Sequence, residues 1–315
     1  MKSILVTGGS GSFGKAFVKH LLKNDSAERI VIYSRGEHAQ EDMARELNDD
    51  RLRFFIGDVR DLSRLEMAMN GVDTVVHAAA LKIVPTAEYN PTECVATNVK
   101  GTENVAIAAI RCGVEQVVGL STDKAVNPIN LYGATKLTAE KILIGANALA
   151  AGRTRFNIVR YGNVSHSRGS VIPLFLKLKA EGKALTVTDE RMTRFIITMD
   201  QAIHTVKSAL TLVVGARILV PRIPSAKIID IALAINDTYG DITISGIRPG
   251  EKLHETLITE DEGTKAIEIK DAYLIFPNRM TSDPDRVEPG FQYTSDTNDT
   301  WMTFDQIKRL VSCTS

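Results

Sequence analysis

Short apolar runs alternate with segments of helical period through the first half of the chain. The runs that predict strands are residues 4–6, 30–33, 52–56, 74–77 and 116–121. The segment after the first run has Phe13, Phe17 and Leu21 at helical spacing, which is typical of a helix packed on a sheet. Strands that alternate with such helices indicate an α/β fold with a doubly wound parallel sheet.

A glycine-rich segment follows the first predicted strand directly. Its three spaced glycines can permit a tight turn, let backbone amides approach a pyrophosphate, and allow the next helix to pack closely on the strand. A tight loop without a ligand is the alternative, but the position between a strand and a helix favours a dinucleotide site. The expected contacts are Gly8, Ser10, Gly11, Ser12, Phe13 and Gly14.

The end of the second strand bears on which nicotinamide nucleotide binds. An acid about 20 residues beyond the glycines holds the ribose 2′-hydroxyl of NAD, whereas a 2′-phosphate needs a cation. Ser34 and Arg35 stand there, so we expect NADP, although Glu37 lies close by and Arg35 alone is also compatible with an ordinary surface charge. At the ends of the third and fourth strands, Asp58 is either an adenine ligand or a helix cap, and the small residues Ala78, Ala79 and Ala80 let backbone lie against the cofactor.

The pattern becomes less regular after residue 160. We predict a sixth strand over residues 160–164, a turn into a helix over 169–173, and a strand over 217–220 that rejoins the sheet. These elements divide the chain into a dinucleotide-binding domain over residues 1–162, to which 199–222 returns, and a smaller interleaved substrate-binding lobe over 163–315.

Composition and charge exclude several classes of protein. The 38 basic residues balance the 38 acidic ones among 315 residues, so no net field attracts nucleic acid or an anionic membrane. No apolar stretch reaches the ~18 residues that span a bilayer, and the scattered Cys94, Cys112 and Cys313 are typical of a reducing compartment. We expect a cytoplasmic enzyme without a metal, because the histidines lack the short paired spacing of a zinc site.

The densest chemistry lies between the fifth strand and the helix after it. Tyr132 and Lys136 are four residues apart, so on a helix they share a face and the ammonium can lower the pKa of the phenol. The neighbours Asp123 and Lys124 offer an acid and an amine base. A surface ion pair is the alternative for these two, but the end of a parallel strand is where ligands bind.

Six segments resemble those of a known family. They are residues 78–82, 121–125, 127–136, 160–164, 191–195 and 248–255. In combination with the glycine loop they resemble the extended short-chain dehydrogenase/reductase superfamily and, within it, the inverting UDP-N-acetylglucosamine 4,6-dehydratases that begin pseudaminic acid biosynthesis. The resemblance extends over nearly the whole chain. It departs at Ile83, where family members usually carry a polar residue, so the exact sugar stays open.

The resemblance implies a mechanism. Oxidised NADP, held tightly and regenerated in each turnover, accepts a hydride from carbon 4 of the hexose and returns it to carbon 6. Tyr132, aided by Lys136 and Thr122, removes the proton of the carbon 4 hydroxyl. Lys124 then takes the carbon 5 proton while Asp123 protonates the departing carbon 6 hydroxyl, and a proton returned to the opposite face of carbon 5 inverts it. Because Lys124 must be neutral to act as a base, we expect its pKa to be lowered.

The resemblance also implies the remaining contacts and partners. Val59, Lys82 and Asn98 join Tyr132 and Lys136 in lining the cofactor. The nucleotide sugar is expected to meet Lys82, Asn163, Val171, Thr186, Arg194, Arg248 and Glu251. Arg194 paired with Asp189 or Glu190, and Glu251 paired with Lys252, are the alternatives. We also expect a homo-oligomer; a 4-epimerase, a retaining dehydratase and a non-catalytic NADP-binding regulator are the other functions considered.

Overall fold

The structure is a computed structural model that describes residues 2–24, 27–212, 214–236, 238–278 and 284–312. Its strands are β1 (Ser3–Thr7), β2 (Arg29–Ser34), β3 (Leu52–Ile56), β4 (Thr74–His77), β5 (Gln116–Thr122), β6 (Arg155–Tyr161), β7 (Asn163–Val164), β8 (Leu185–Val187), β9 (Thr193–Ile197), β10 (Ile218–Pro221), β11 (Ser225–Lys227), β12 (Ile242–Ile244), β13 (Thr256–Ile258), β14 (Ala266–Ile269), β15 (Ala272–Ile275) and β16 (Tyr293–Thr294). Its helices are α1 (Ser12–Asn24), α2 (Glu37–Leu47), α3 (Leu62–Met69), α4 (Val84–Tyr89), α5 (Pro91–Val95), α6 (Gly101–Arg111), α7 (Leu131–Ala150), α8 (Val171–Ala180), α9 (Met199–Leu210), α10 (Ile228–Asn236), α11 (Glu260–Gly263) and α12 (Phe304–Ser312).

One large sheet contains all five strands predicted for the first half of the chain. Its order is β14-β15-β10-β6-β5-β4-β1-β2-β3, and neighbouring strands run parallel from β10 to β3. All five residues of β1 are buried, because helices cover both faces of a doubly wound sheet. The predicted fold class is therefore confirmed, and β10 rejoins the sheet beside β6 as expected.

The strand order reverses between β1 and β4, which pair with each other directly. Connections from these strands leave in opposite directions across the sheet, so a crevice opens at their carboxyl ends. The glycine loop follows β1 and the run of three alanines follows β4. The topology thus brings two predicted cofactor segments to one crevice.

The predicted sixth strand is divided between two sheets. β6 begins earlier than predicted and ends at Tyr161, whereas β7 belongs to a three-stranded sheet with β9 and β11. The crossing point is Gly162, where a Cβ atom would lie 2.5 Å from the Cβ of Phe195. Only glycine lets the backbone pass this close, so the chain changes sheet here.

The second lobe packs around its own apolar core. Helices α8, α10 and α12 bury residues such as Phe175, Ile231 and Ile307 against β8 and β9. Cys94 is fully buried, and Cys313 lies outside the described residues. Among the helices that the structure describes, none has the length and hydropathy needed to cross a membrane.

Candidate active site

The glycine loop has a backbone conformation and close contacts that only glycine, which lacks a Cβ atom, permits. Gly8 adopts φ +66°, and a Cβ there would lie 3.0 Å from the backbone of Ala79. A Cβ on Gly14 would lie 2.6 Å from the carbonyl oxygen of Gly8, while the Gly11 amide donates to that oxygen at 2.9 Å. The loop therefore lies against the alanine segment at the amino end of α1, and its form fits the pyrophosphate of a dinucleotide. Ser10, Ser12 and Phe13 complete the loop and the start of α1.

The end of β2 presents a polar group and a cation. The hydroxyls of Ser34 and Ser10 share a hydrogen bond at 2.8 Å, and Gln40 donates to the Ser34 hydroxyl at 2.9 Å. The guanidinium of Arg35 is 57% exposed and lies 3.9 Å from a carboxylate oxygen of Asp58. Ser34 and Arg35 thus lie at the end of β2, where residues that contact the ribose of a dinucleotide are expected.

Asp58 does not cap a helix. Its carboxylate pairs with Arg60 at 2.7 Å, which holds its pKa below the ordinary value against the effect of burial. The residue that caps α3 is Asp61, whose side chain accepts a hydrogen bond from the amide of Arg64. The capping alternative for Asp58 is therefore wrong. Val59, the next residue, is buried.

The segment after β4 is held by two polar side chains. The amides of Ala78 and Ala79 each donate to the Thr7 hydroxyl at 3.2 Å. Asn98 lies in a π-helical turn between α5 and α6; its amide group accepts from the amide of Leu81 at 2.8 Å and donates to the Leu81 carbonyl at 2.9 Å. Ala80 lies between these two anchors. Asn98 thus supports the segment that leads to Lys82.

Helix α7 presents the predicted phenol and amine at its first turns. Asn130 caps it by accepting from the amide of Gly133 at 2.8 Å. A Cβ on Gly133 would lie 2.1 Å from the carbonyl oxygen of Lys124, so the helix packs tightly on the turn Asp123–Ala125. Tyr132 is 8% exposed. The glycine therefore brings the phenol of Tyr132 next to the Asp123–Lys124 pair.

The phenol and Lys136 do not interact as expected. Burial raises the pKa of Tyr132 to about 12, opposed by the charge of Lys124 and by a hydrogen bond with Thr122. The ammonium of Lys136 donates to the backbone carbonyl of Leu120, and burial lowers its pKa to about 8. The expectation of a lowered phenol pKa is therefore wrong: burial outweighs the charge of Lys124, and Lys136 is not among the groups that shift the pKa of Tyr132.

Lys124 lies between two buried carboxylates. Its ammonium is 3.1 Å from an oxygen of Asp123, which is fully buried, and 3.1 Å from an oxygen of Glu255, which is 2% exposed. Burial lowers the pKa of Lys124, but the two carboxylates outweigh it and raise that pKa above the ordinary value. The expectation of a lowered pKa is wrong for this arrangement. Burial raises the pKa of Asp123, against the lowering effect of Lys124, which favours the protonated form of this carboxyl.

Glu255 is the member of this site that the sequence did not single out. It is the last residue of the segment 248–255 and comes immediately before β13. The apolar residues Leu253 and Leu257 stand two positions before and after it in the sequence. No local signal could have found it, because the residues around it, Lys252 to His254 and Thr256, are only half-buried and mostly polar.

The predicted substrate residues extend from this cluster into the second lobe. The Asn163 side-chain oxygen lies 3.5 Å from the Lys124 ammonium, and Lys82 donates to the Ser167 hydroxyl at 3.4 Å. Burial lowers the pKa of Lys82, and the charges of Arg168 and Lys124 add to this. Three cations, Lys82, Lys124 and Arg168, thus lie close enough to act on one another, an arrangement that suits an anionic ligand.

Arg194 is buried and already holds the segment around Glu255. Its guanidinium donates to the carbonyls of Lys252 and Leu253 at 2.9 and 3.1 Å and lies 3.7 Å from Glu251. Asp189 pairs instead with Arg191, and the nearest acid to the Lys252 ammonium is Glu255. The alternatives of Arg194 with Asp189 and of Glu251 with Lys252 are therefore not the pairs observed.

Three predicted residues lie outside these contacts. The amide of Arg248 donates to Glu251 at 3.4 Å in an exposed loop. Val171 is the first residue of α8, and Thr186 lies in β8. The hydrogen bonds and ion pairs described above involve neither Val171 nor Thr186.

A glycine loop, a buried tyrosine and an acid–amine pair at the carboxyl ends of a parallel sheet are typical of an α/β enzyme that binds a dinucleotide. The family described as "Polysaccharide biosynthesis protein" matches residues 4–277. The chain belongs to this family.

The relatives narrow the class. The chain is 46% identical to the UDP-N-acetylglucosamine 4,6-dehydratase (inverting) of Campylobacter jejuni subsp. jejuni serotype O:2, over 99% of this chain and 98% of that protein. It is 44% identical to a UDP-glucose 4-epimerase of Rickettsia rickettsii over 87% of this chain and 82% of that one. The match along nearly the whole chain confirms the expected class of enzyme, a dehydratase.

Solved structures show the same fold. Pen from Bacillus thuringiensis superimposes with a TM-score of 0.91 at 36% identity, covering 98% of this chain and 97% of that chain. DesIV, a dTDP-glucose 4,6-dehydratase from Streptomyces venezuelae solved with NAD and TYD bound, gives a TM-score of 0.74 at 24% identity over 80% and 86% of the two chains.

Proposed function

We propose that this protein dehydrates UDP-N-acetylglucosamine to a 4-keto-6-deoxy sugar nucleotide and inverts carbon 5. One observation carries the proposal: the Asp123 carboxylate and the Lys124 ammonium lie 3.1 Å apart beside the buried phenol of Tyr132. An acid, a base and a phenol that meet at the end of a parallel strand supply the groups that this reaction needs.

The first step falls to Tyr132 and Thr122. When bound, an oxidised nicotinamide accepts a hydride from carbon 4 and later returns it to carbon 6. The phenolate form of Tyr132, which the charge of Lys124 favours, takes the proton of the carbon 4 hydroxyl, and Thr122 is placed to hydrogen-bond the same oxygen. The resulting carbonyl makes the proton on carbon 5 acidic, and the second step depends on this.

The dehydration needs only one internal proton shift. Moving a proton from the Lys124 ammonium to Asp123 creates a neutral amine and a neutral acid at once, across a distance of 3.1 Å. The amine takes the carbon 5 proton, and Asp123 gives its proton to the carbon 6 hydroxyl, which leaves as water. The pair returns to its charged form. As the hydride comes back to carbon 6, the Lys124 ammonium gives a proton to the opposite face of carbon 5, which inverts that carbon; solvent restores the proton on Lys124, and Tyr132 releases its own proton to solvent. The raised pKa of Asp123 supports this acid role.

The second lobe holds the nucleotide in this proposal. Arg248 neutralises the diphosphate from its exposed loop, and Arg194 adds its positive charge from a buried position while it holds the carbonyls of Lys252 and Leu253. Glu251 binds the ribose, and Asn163 contacts the sugar. Arginine pairs two phosphate oxygens at once through its planar fork. Lys82, Val171 and Thr186 line the remainder of the cleft.

We further propose NADP as the cofactor, because Ser34 and the cation Arg35 stand at the end of β2, where an acid would hold the ribose of NAD. The assigned cofactor contacts are those of the glycine loop, Ser34, Asp58, Val59, the alanine segment, Lys82, Asn98, Tyr132 and Lys136. The product would enter pseudaminic acid and cell-surface glycan synthesis. A homo-oligomer in the cytoplasm stays a prediction, as does the division into domains at residue 162.

Mass spectrometry of a reaction with UDP-N-acetylglucosamine tests the reaction. A dehydratase yields a product lighter by one water, whereas a 4-epimerase yields a product of unchanged mass. The epimerase relatives make this the second function to test. Conversion without loss of water would overturn the proposal, and binding of NADP without any conversion would support the regulator instead.

A further inference from the structure

Glu255 reaches the catalytic pair from the second lobe. The segment that carries it is fixed at both sides: the Glu255 amide donates to the Ser295 hydroxyl at 2.9 Å, and the Ser295 amide donates to the Glu255 carbonyl at 2.8 Å. Two carbonyls just before it, those of Lys252 and Leu253, accept from Arg194. The carboxylate is thus held in one place rather than on a free loop.

Among the charged groups around Lys124, cations outnumber carboxylates. The titratable groups that interact electrostatically with its ammonium are Asp123 from its own turn, Glu255 from the segment before β13, Arg194 from β9, Tyr132 from α7, Lys82 from the loop after β4, and Lys252. Two of these are carboxylates and three are cations. Without Glu255, the cations would repel the proton on Lys124, with Asp123 as the remaining carboxylate that opposes them.

We propose that Glu255 is a positioning residue for the dehydration, which holds the Lys124 ammonium beside Asp123 and keeps one proton on that pair. The role of Glu255 in dehydration rests on the proposed function, whereas the test described below follows the protonation of Lys124 and needs no substrate. Glu255 Oε1 lies 3.1 Å from the ammonium, and its other oxygen lies 3.7 Å from the Lys252 ammonium. No described residue donates a hydrogen bond to that second oxygen. It therefore interacts with its surroundings through its charge and not through hydrogen bonds.

Labelling of lysines with an amine-reactive reagent tests the inference without substrate. The holoprotein is labelled at several pH values, and Lys124 is followed by peptide mass spectrometry with the exposed Lys100 as internal reference. Only the neutral amine reacts. Glu255→Gln removes the charge and keeps the shape, so we expect Lys124 to react about tenfold faster or more at a given pH. Glu255→Asp keeps the charge and should stay within about threefold of the wild type.

Control and activity measurements separate this role from a structural one. Glu260→Gln changes an exposed acid of the same lobe and should leave the labelling of Lys124 unchanged. In turnover, losing a negative charge lowers the proton affinity of both Asp123 and Lys124, so both limbs of the pH profile of kcat should move to lower pH in Glu255→Gln. Unchanged labelling of Lys124 in Glu255→Gln would overturn the inference. A wild type that fails to dehydrate the sugar would overturn the proposed function alone.

Discussion

The ammonium of Lys124 and the carboxylate of Asp123, neighbours in the chain, face each other at 3.1 Å although Asp123 is fully buried. The turn Asp123–Ala125 makes this contact possible, since it follows β5 directly and is packed against α7 at Gly133. The two groups are therefore close enough for a proton to pass directly between them.

Replacing Lys124 by methionine should stop the reaction after the first oxidation. The neutral side chain of Lys124→Met cannot accept the carbon 5 proton, so we expect kcat to fall at least about 100-fold while reduced nicotinamide accumulates. Absorbance of the reduced cofactor in a single turnover measures this. Tyr132→Phe is the comparison, because it should block before any reduced cofactor forms. Full turnover in Lys124→Met would remove Lys124 from the mechanism.

The stability of the cofactor-free protein, measured relative to a Lys136→Met variant, should rise as the pH increases above about 8. Burial lowers the pKa of Lys136 to about 8 from 10.5, so the unfolded chain binds more protons than the folded one between these values. Stability relative to Lys136→Met should therefore be level below about pH 8 and rise above it, by up to about 3 kcal/mol. Urea unfolding of both proteins across this range checks it. A constant difference would show that Lys136 has an ordinary pKa.

Arg35 should decide between the two nicotinamide nucleotides. Arg35→Ala removes a cation at the end of β2, so we expect the Kd for NADPH to rise about tenfold and that for NADH to change little. Fluorescence titration with each cofactor measures both constants. The exposed Arg45, paired with Glu41 on α2, gives a matched control as Arg45→Ala. An equal loss for both cofactors would contradict the assignment of NADP.

A buried ion network ties α7 to the second lobe. Arg160 is 1% exposed and pairs with Glu140 at 2.7 Å and with Glu262 at 2.8 Å. Arg160→Met leaves the buried carboxylate of Glu140 without its cation, so we expect a loss of about 3–5 kcal/mol in the free energy of unfolding. Glu262→Gln should cost less, because Glu262 is 25% exposed. Chemical denaturation ranks the two variants, and equal costs would contradict this account.

The parallel strands could be predicted because each is a short, buried run between helices. The hairpin of β14 and β15 could not, since it lies at the edge of the sheet and its outer residues Glu268 and Ile269 are exposed.

The candidate site could likewise be predicted only in part. Asp123 and Lys124 were predictable from a local motif, whereas Glu255 reaches them only through the folding of the second lobe, and the charge state of Lys124 depends on it.

Proton NMR of the wild-type protein with UDP-N-acetylglucosamine in deuterium oxide tests the central claim most directly. Lys124 exchanges its protons with solvent, so a proton returned to carbon 5 should be deuterium. We expect a 4-keto-6-deoxy product that carries deuterium at carbon 5 with inverted configuration. A product that retains its original hydrogen and configuration at carbon 5 would contradict the acid–base role assigned to Asp123 and Lys124.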